Sequence, residues 1–210
     1  MTPGAFAARH PRLYRLAARG AAEGVRRHGL LPAAELARRA GADLPPERRP
    51  RAVPLRLPDG TAAVLTDNAP LSLARLARVL DDGLCPADWM RMLNARVFLW
   101  PARPLGLGNL NARRRLGYES EWQVFDTLGL LSPVWDRAEI APINTGATVR
   151  APARRGLATF APLAGLDFAA WRRARREAGT RKGLDTPKEV TVRGAIPDAG
   201  AHLLAVEPAD

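Results

Sequence analysis

The chain has one cysteine, Cys85, three histidines, and only Lys182 and Lys188 as lysines. A lone cysteine excludes an internal disulfide and offers no thiolate metal site. His10, His28 and His202 are scattered without metal-ligand spacing, so no metal centre is expected. No apolar run approaches the roughly 18 residues of a membrane-spanning helix. No basic segment followed by an apolar stretch opens the chain, so no secretory signal is expected and the cytoplasm is the expected compartment. There is no Gly-x-Ser-x-Gly elbow and no Ser-His-Asp arrangement. Gly106-Leu107-Gly108 runs into Asn109 rather than a phosphate loop, and reads as a turn.

What is present is an ordinary globular composition, 47% hydrophobic and 25% charged over 210 residues, which suits a single domain spanning 1–210. The net charge is +11, and all but two of the 32 basic residues are arginine. An excess of one sign favours polyanionic partners, so nucleic acid or a phosphate-bearing ligand is one expectation. A solvated basic surface produced by GC-rich codon usage is the other. Oligomeric state is not legible.

Along the chain, His10 to Ala17 reads as a short strand entering a helix that ends at His28-Gly29. Pro32 to Ala40 is a second helix, and Asp43 to Arg51 is a charged, proline-rich loop. Val53–Leu57 and Ala62–Thr66 flank a Pro-Asp-Gly-Thr turn as a hairpin. Leu71–Leu80 and Pro86–Asn94 have helical apolar spacing. Arg96 to Trp100 is the clearest strand, stopped by Pro101, and Trp122 to Asp126 is another. Pro142 to Thr148 is a turn-rich loop. Asp167 caps a helix with Phe168, Trp171, Ala174 and Ala178 as its buried stripe and Arg172, Arg173 and Arg176 in solvent. Strands at Glu189–Val192 and Leu203–Val206 close the chain. Helices and strands are interspersed without a βαβ rhythm, which predicts an α+β fold.

Several residues could carry chemistry. In the strand at 189–192, Val190 and Val192 share one face, while Glu189, Thr191 and Arg193 share the other. Taken alone, Glu189 is either a site carboxylate or a solvent-facing strand residue. Arg96 and Arg103 flank the aromatic strand, where Trp100 could stack on a ring or simply fill core. Asn144 and Thr145 lie in a loop offering hydroxyls and amides to an anion.

These segments also resemble a known family. Glu189-Val190-Thr191-Val192 followed by Ile196-Pro197 is similar to the closing strand of the DarT-type DNA ADP-ribosyltransferases. Val97 to Leu105 resembles their aromatic strand and Pro-Arg-x-Pro turn, and Leu13 to Ala17 with Gly29-Leu30 resembles their opening. The chain as a whole is similar to an uncharacterised bacterial family sharing His-Pro-x-Leu-Tyr and Pro-x-Asn-Thr-Gly-Ala-Thr.

The resemblance implies an ADP-ribosyltransferase-like domain, a split mixed or antiparallel sheet with flanking helices. It implies NAD as co-substrate and a nucleic acid base, DNA or RNA, as acceptor. Glu189 would be catalytic: it would hydrogen-bond the ribose, stabilise positive charge as nicotinamide departs and help deprotonate the acceptor. Tyr14, Arg15, Trp100 and Arg103 would shape the dinucleotide cleft, and Arg96, Asn144 and Thr145 would border the acceptor. Arg15 stands where these relatives present histidine, and a guanidinium there suits a pyrophosphate. The alternatives are a non-catalytic binding module for nucleic acid or protein on the same fold, and a bare NAD glycohydrolase.

Overall fold

The computed structural model describes residues 1–43, 49–149, 152–177 and 186–209. The helices are α1 (Pro3–Arg9), α2 (Ala21–His28), α3 (Ala33–Arg39), α4 (Leu73–Ala77), α5 (Pro86–Asn94), α6 (Leu107–Arg115), α7 (Thr127–Leu131) and α8 (Phe168–Glu177). The strands are β1 (Arg12–Ala18), β2 (Val53–Arg56), β3 (Ala62–Leu65), β4 (Arg96–Leu99), β5 (Ser120–Asp126), β6 (Ala138–Ala141), β7 (Ala161–Pro162), β8 (Glu189–Arg193) and β9 (Leu203–Pro208). The fold is α+β, as the interspersed pattern predicts.

The strands form two main sheets, β1-β5-β9 and β4-β8-β6-β7, with β2-β3 as a separate hairpin. Every ladder is antiparallel. Among the described residues the two sheets meet at one hydrogen-bonded bridge, where Tyr14 N donates to Trp100 O at 2.9 Å and Trp100 N donates to Tyr14 O at 2.8 Å. Leu99 is the last β4 residue paired with β8, opposite Val190. The next residue on each strand is Trp100 on one side and Glu189 on the other.

One apolar cluster holds the sheets together. Leu13 and Phe125 from the first sheet share it with Val97, Leu99, Ile140, Val190 and Val192 from the second, and Phe6 of α1 and Val25 of α2 close it. The reverse face of the second sheet packs on α5 through Trp89, Met90 and Leu93. The reverse face of the first sheet packs Leu16 and Trp122 against Leu110 of α6, with Tyr14 and Trp100 beside them. Both faces of β8 are therefore covered. That is why Glu189 and Thr191 are buried although the alternation also allows a solvent-facing row.

Several local readings change. The 106–108 stretch is not a simple turn: Gly106 leads into α6, and a Cβ on it would lie 2.5 Å from the Trp122 ring. Gly29 is held at φ +72, and a Cβ there would lie 2.2 Å from Ile196 O, so the bridge from Leu30 to Ile196 needs glycine before it. The helix at 71–80 shrinks to α4, capped by Ser72. In α8 Phe168 and Trp171 pack against the core as the stripe predicts, but Ala174 is exposed and the buried residue beside them is Arg175, its guanidinium 4.7 Å from the Trp171 ring. Ala178 and part of the 43–51 loop lie outside the described residues.

Candidate functional site

Glu189 opens β8 and is 5% exposed. Its Oε2 accepts hydrogen bonds from the Thr145 hydroxyl at 2.6 Å and the Thr145 amide at 3.2 Å. Burial pushes the carboxyl up to about 7. The Thr145 bonds, and behind them the charge of Arg155, pull the other way. A carboxyl held there exchanges protons near neutral pH, unlike an ordinary surface glutamate. Thr145 itself is fully buried, and its carbonyl accepts from Trp89 Nε1 at 3.3 Å. Asn144, next to it, is exposed.

Arg15 points the other way. Strand alternation sets it on the opposite face of β1 from Tyr14, where it lines a pocket of about 80 Å³. Gly24 and Val25 of α2, Leu36 of α3 and Ala62 to Val64 of β3 form the other walls. Arg15 Nη1 donates to Gln123 Oε1 at 2.8 Å, its one hydrogen bond among the described residues. Gln123 Nε2 in turn donates to Glu121 Oε1 at 2.8 Å. Glu121 also accepts from the amides of Gly20 and Ala22 at 2.8 Å each, and so caps the N-terminus of α2 from within β5. Desolvation lowers the Arg15 guanidinium to about 10, with the Glu121 charge opposing the shift and Arg113 adding to it. The result is a guanidinium beside a pocket with donor capacity left over and no carboxylate in contact.

The other sequence-picked residues are committed within the fold. Tyr14 and Trp100 are half-buried at the seam between the sheets, and Trp100 meets the Trp122 ring edge-on at 6.0 Å. Arg103 pairs with Glu207 at 2.5 Å and lies over the Trp122 ring. Arg96 is buried against Glu139 at 2.8 Å, with its guanidinium 4.1 Å from the Phe160 ring centre. Arg193 reaches the same carboxylate at 3.3 Å. Arg113 is buried and donates to Ser120 at 2.8 Å, whereas Arg114 and Arg115 are exposed. The arginines around the aromatic strand therefore do not form one open basic face.

The structure joins Tyr14 to Trp100 by that bridge and makes Trp100 and Glu189 the first residues beyond the β4–β8 ladder, with Arg15 on the opposite face of β1 from Tyr14. It does not bring Glu189 into the lining of the Arg15 pocket. Sequence reasoning missed Glu121, Gln123 and Arg155. The first two carried a signal, since Glu-Trp-Gln-Val-Phe sets polar residues on alternate positions of a strand. Arg155 carried none beyond standing in an Arg-Arg pair. Among the described residues there is no group of histidine, cysteine or carboxylate side chains able to hold a metal ion, and no helix long and apolar enough to cross a membrane.

Residues 11–203 match a family described as "Family of unknown function (DUF7002)". No curated protein and no solved structure matches the chain.

Proposed function

The chain belongs to the DUF7002 family, whose function is unknown, and from its own geometry we propose an NAD-dependent ADP-ribosyltransferase acting on a nucleic acid base. The observation that carries this reading is the seam. Glu189, a carboxyl that burial sets at about 7, stands with Trp100 just beyond the β4–β8 ladder, where Trp100 bridges to Tyr14 and joins the sheets. Tyr14 and Glu189 come from opposite ends of the chain, as the resemblance to DarT-type enzymes implies, and Trp100 from its middle. An ADP-ribosyltransferase-like split sheet is the finer fold that goes with it.

In this reading Arg15 offers its remaining N–H groups to a pyrophosphate, while Gln123 and Glu121 fix its direction. A pocket of about 80 Å³ takes one ring or one phosphate, well below the roughly 300–1,000 Å³ of whole-ligand sites. Tyr14 and Trp100 lie on the opposite face of β1 from Arg15, so a dinucleotide that also reached Glu189 would have to pass over the edge of that strand to meet their rings. Glu189 would exchange its Thr145 bond for a ribose hydroxyl and stabilise the positive charge that develops as nicotinamide leaves. Its neutral-range pKa suits it to accept the acceptor's proton. The net charge of +11 supports a polyanionic acceptor.

A second reading rests on a specific observation. Glu189 is only 5% exposed and turned inward, which suits a staple for the 144–148 loop in a non-catalytic anion-binding module. Nicotinamide release from NAD separates the two. Wild type should release it, with single-stranded DNA or RNA becoming labelled from radioactive NAD, and Glu189→Gln should lose about 10²–10³ in rate while still binding ADP-ribose. Release without any labelled polymer would make the protein a glycohydrolase. No release with DNA, RNA or protein as acceptor would leave the binding module.

A further inference from the structure

Beyond the seam, the best-built unexplained group is Arg155. It is 3% exposed, and its backbone is clamped by a bridge to Leu80, with its amide donating to Val79 O at 2.8 Å and its carbonyl accepting from Asp81 N at 2.9 Å. Its guanidinium spends its bonds on carbonyls: Nε to Ala153 at 3.1 Å, and Nη1 to Thr145 at 3.2 Å and Ala147 at 3.1 Å. Burying a cation on neutral acceptors alone is costly. The charge that answers it is Glu189, which raises the Arg155 guanidinium while burial lowers it.

Two of those carbonyls belong to the loop whose Thr145 holds the carboxyl. The same guanidinium therefore fixes the residue that donates to Glu189 and supplies a positive field at it. The other charged groups on that face of the sheet are already engaged, Arg96 and Arg193 both with Glu139, and Lys188 lies just before β8. We infer that Arg155 is a positioning residue for Glu189, acting through Thr145 to orient the carboxyl and through its charge to keep it ionisable. The inference rests on Glu189 being the catalytic carboxyl.

The chemistry separates the two components. Arg155→Met removes charge and hydrogen bonds, so the ionised carboxylate loses its field and Glu189 titrates at higher pH. Arg155→Lys keeps a charge on a shorter, non-planar head that cannot also supply the Nε bond to Ala153. The titration of Glu189 is read directly by carbon NMR of labelled glutamate in the ligand-free protein, and nicotinamide release is followed against pH.

Arg155→Met should move both the titration and the rising limb of the rate profile upward together, with about a tenfold loss of rate at pH 7. Arg155→Lys should leave the titration near wild type and restore most of that loss. If Arg155→Met does not fold, Thr145→Val tests the same path, since loss of the hydroxyl should also raise the titration. A Glu189 titration that neither Arg155→Met nor, where that variant does not fold, Thr145→Val displaces overturns the inference. So does a displaced titration that leaves the rate profile in place. Wild type that turns over no NAD sinks the enzyme reading instead, and the titration still reports whether Arg155 governs the carboxyl.

Discussion

The charges on the two sides of the seam are held in opposite ways. On one side Glu189 is enclosed: Thr145 meets Oε2 twice, Arg155 faces it, and burial leaves the group at about 7. On the other, Arg15 is half-buried beside a pocket with a single bond to a neutral amide. The carboxyl is anchored at Oε2 by one residue of the protein, whereas the guanidinium keeps most of its donors for something outside it. A charge with spare donors beside a cavity is suited to binding, and a charge anchored at one oxygen in a buried setting is suited first to holding a loop. Catalysis by Glu189 would use Oε1, which accepts no hydrogen bond among the described residues, or an exchangeable Thr145 contact, while binding by Arg15 requires nothing to move.

The sharpest way to test this contrast is the pH dependence of stability. The folded carboxyl sits at about 7 against an ordinary 4.5, so folding favours its protonated form. That contribution is present in full below the ordinary value and is lost as pH rises through about 7, a loss of roughly 3 kcal/mol. Denaturant unfolding between pH 5 and 8 should show wild type losing stability by about this amount relative to Glu189→Gln, which carries no proton to lose. Parallel curves for the two proteins would place Glu189 in a wetter setting and erase the difference between the two sides.

A smaller effect is expected on the open side. Arg15→Met removes charge-assisted bonds worth about 1.5–3 kcal/mol, so ADP-ribose affinity measured by calorimetry should fall roughly tenfold to a hundredfold. Arg15→Lys should recover part of it, and unchanged affinity in the methionine variant would remove Arg15 from the binding group. The smallest effect is expected at Arg103. Its pair with Glu207 is 2.5 Å long but about two-fifths exposed on both sides, and exposed pairs contribute about 0–1 kcal/mol. Arg103→Ala should leave nicotinamide release unchanged. A clear loss would extend the cleft across the Trp122 ring.

The strands at both ends of the chain were legible because β-branched and aromatic runs bounded by glycine and proline leave few alternatives. The grouping of Tyr14, Trp100 and Glu189 was legible only as three separate guesses, since what brings them together is the register of β4 on β8 and one bridge to β1. The alternating pattern of β8 placed Glu189 opposite the valines, but alternation cannot tell a solvated face from a second buried one. Here α5 and the 144–148 loop cover it, through side chains at 89, 93 and 145. Arginine misled most. In a sequence a guanidinium reads as surface, yet Arg49, Arg113, Arg155 and Arg175 are all buried. The partners of the first three are carbonyls, a hydroxyl and ring faces, which leave no charge pattern to find.

The bridge between Tyr14 and Trp100 also sets an order in time. Arg15 and Gln123 lie 108 positions apart, so the pocket's polar wall can form once β5 has been made, whereas Glu189 arrives on a strand synthesised much later. Chains emerge at about 5–20 residues per second, which leaves an interval of several seconds in which a nascent chain has both members of the Arg15–Gln123 pair but not Glu189. In the proposed reading, that is a stage that would hold a ligand and do nothing to it.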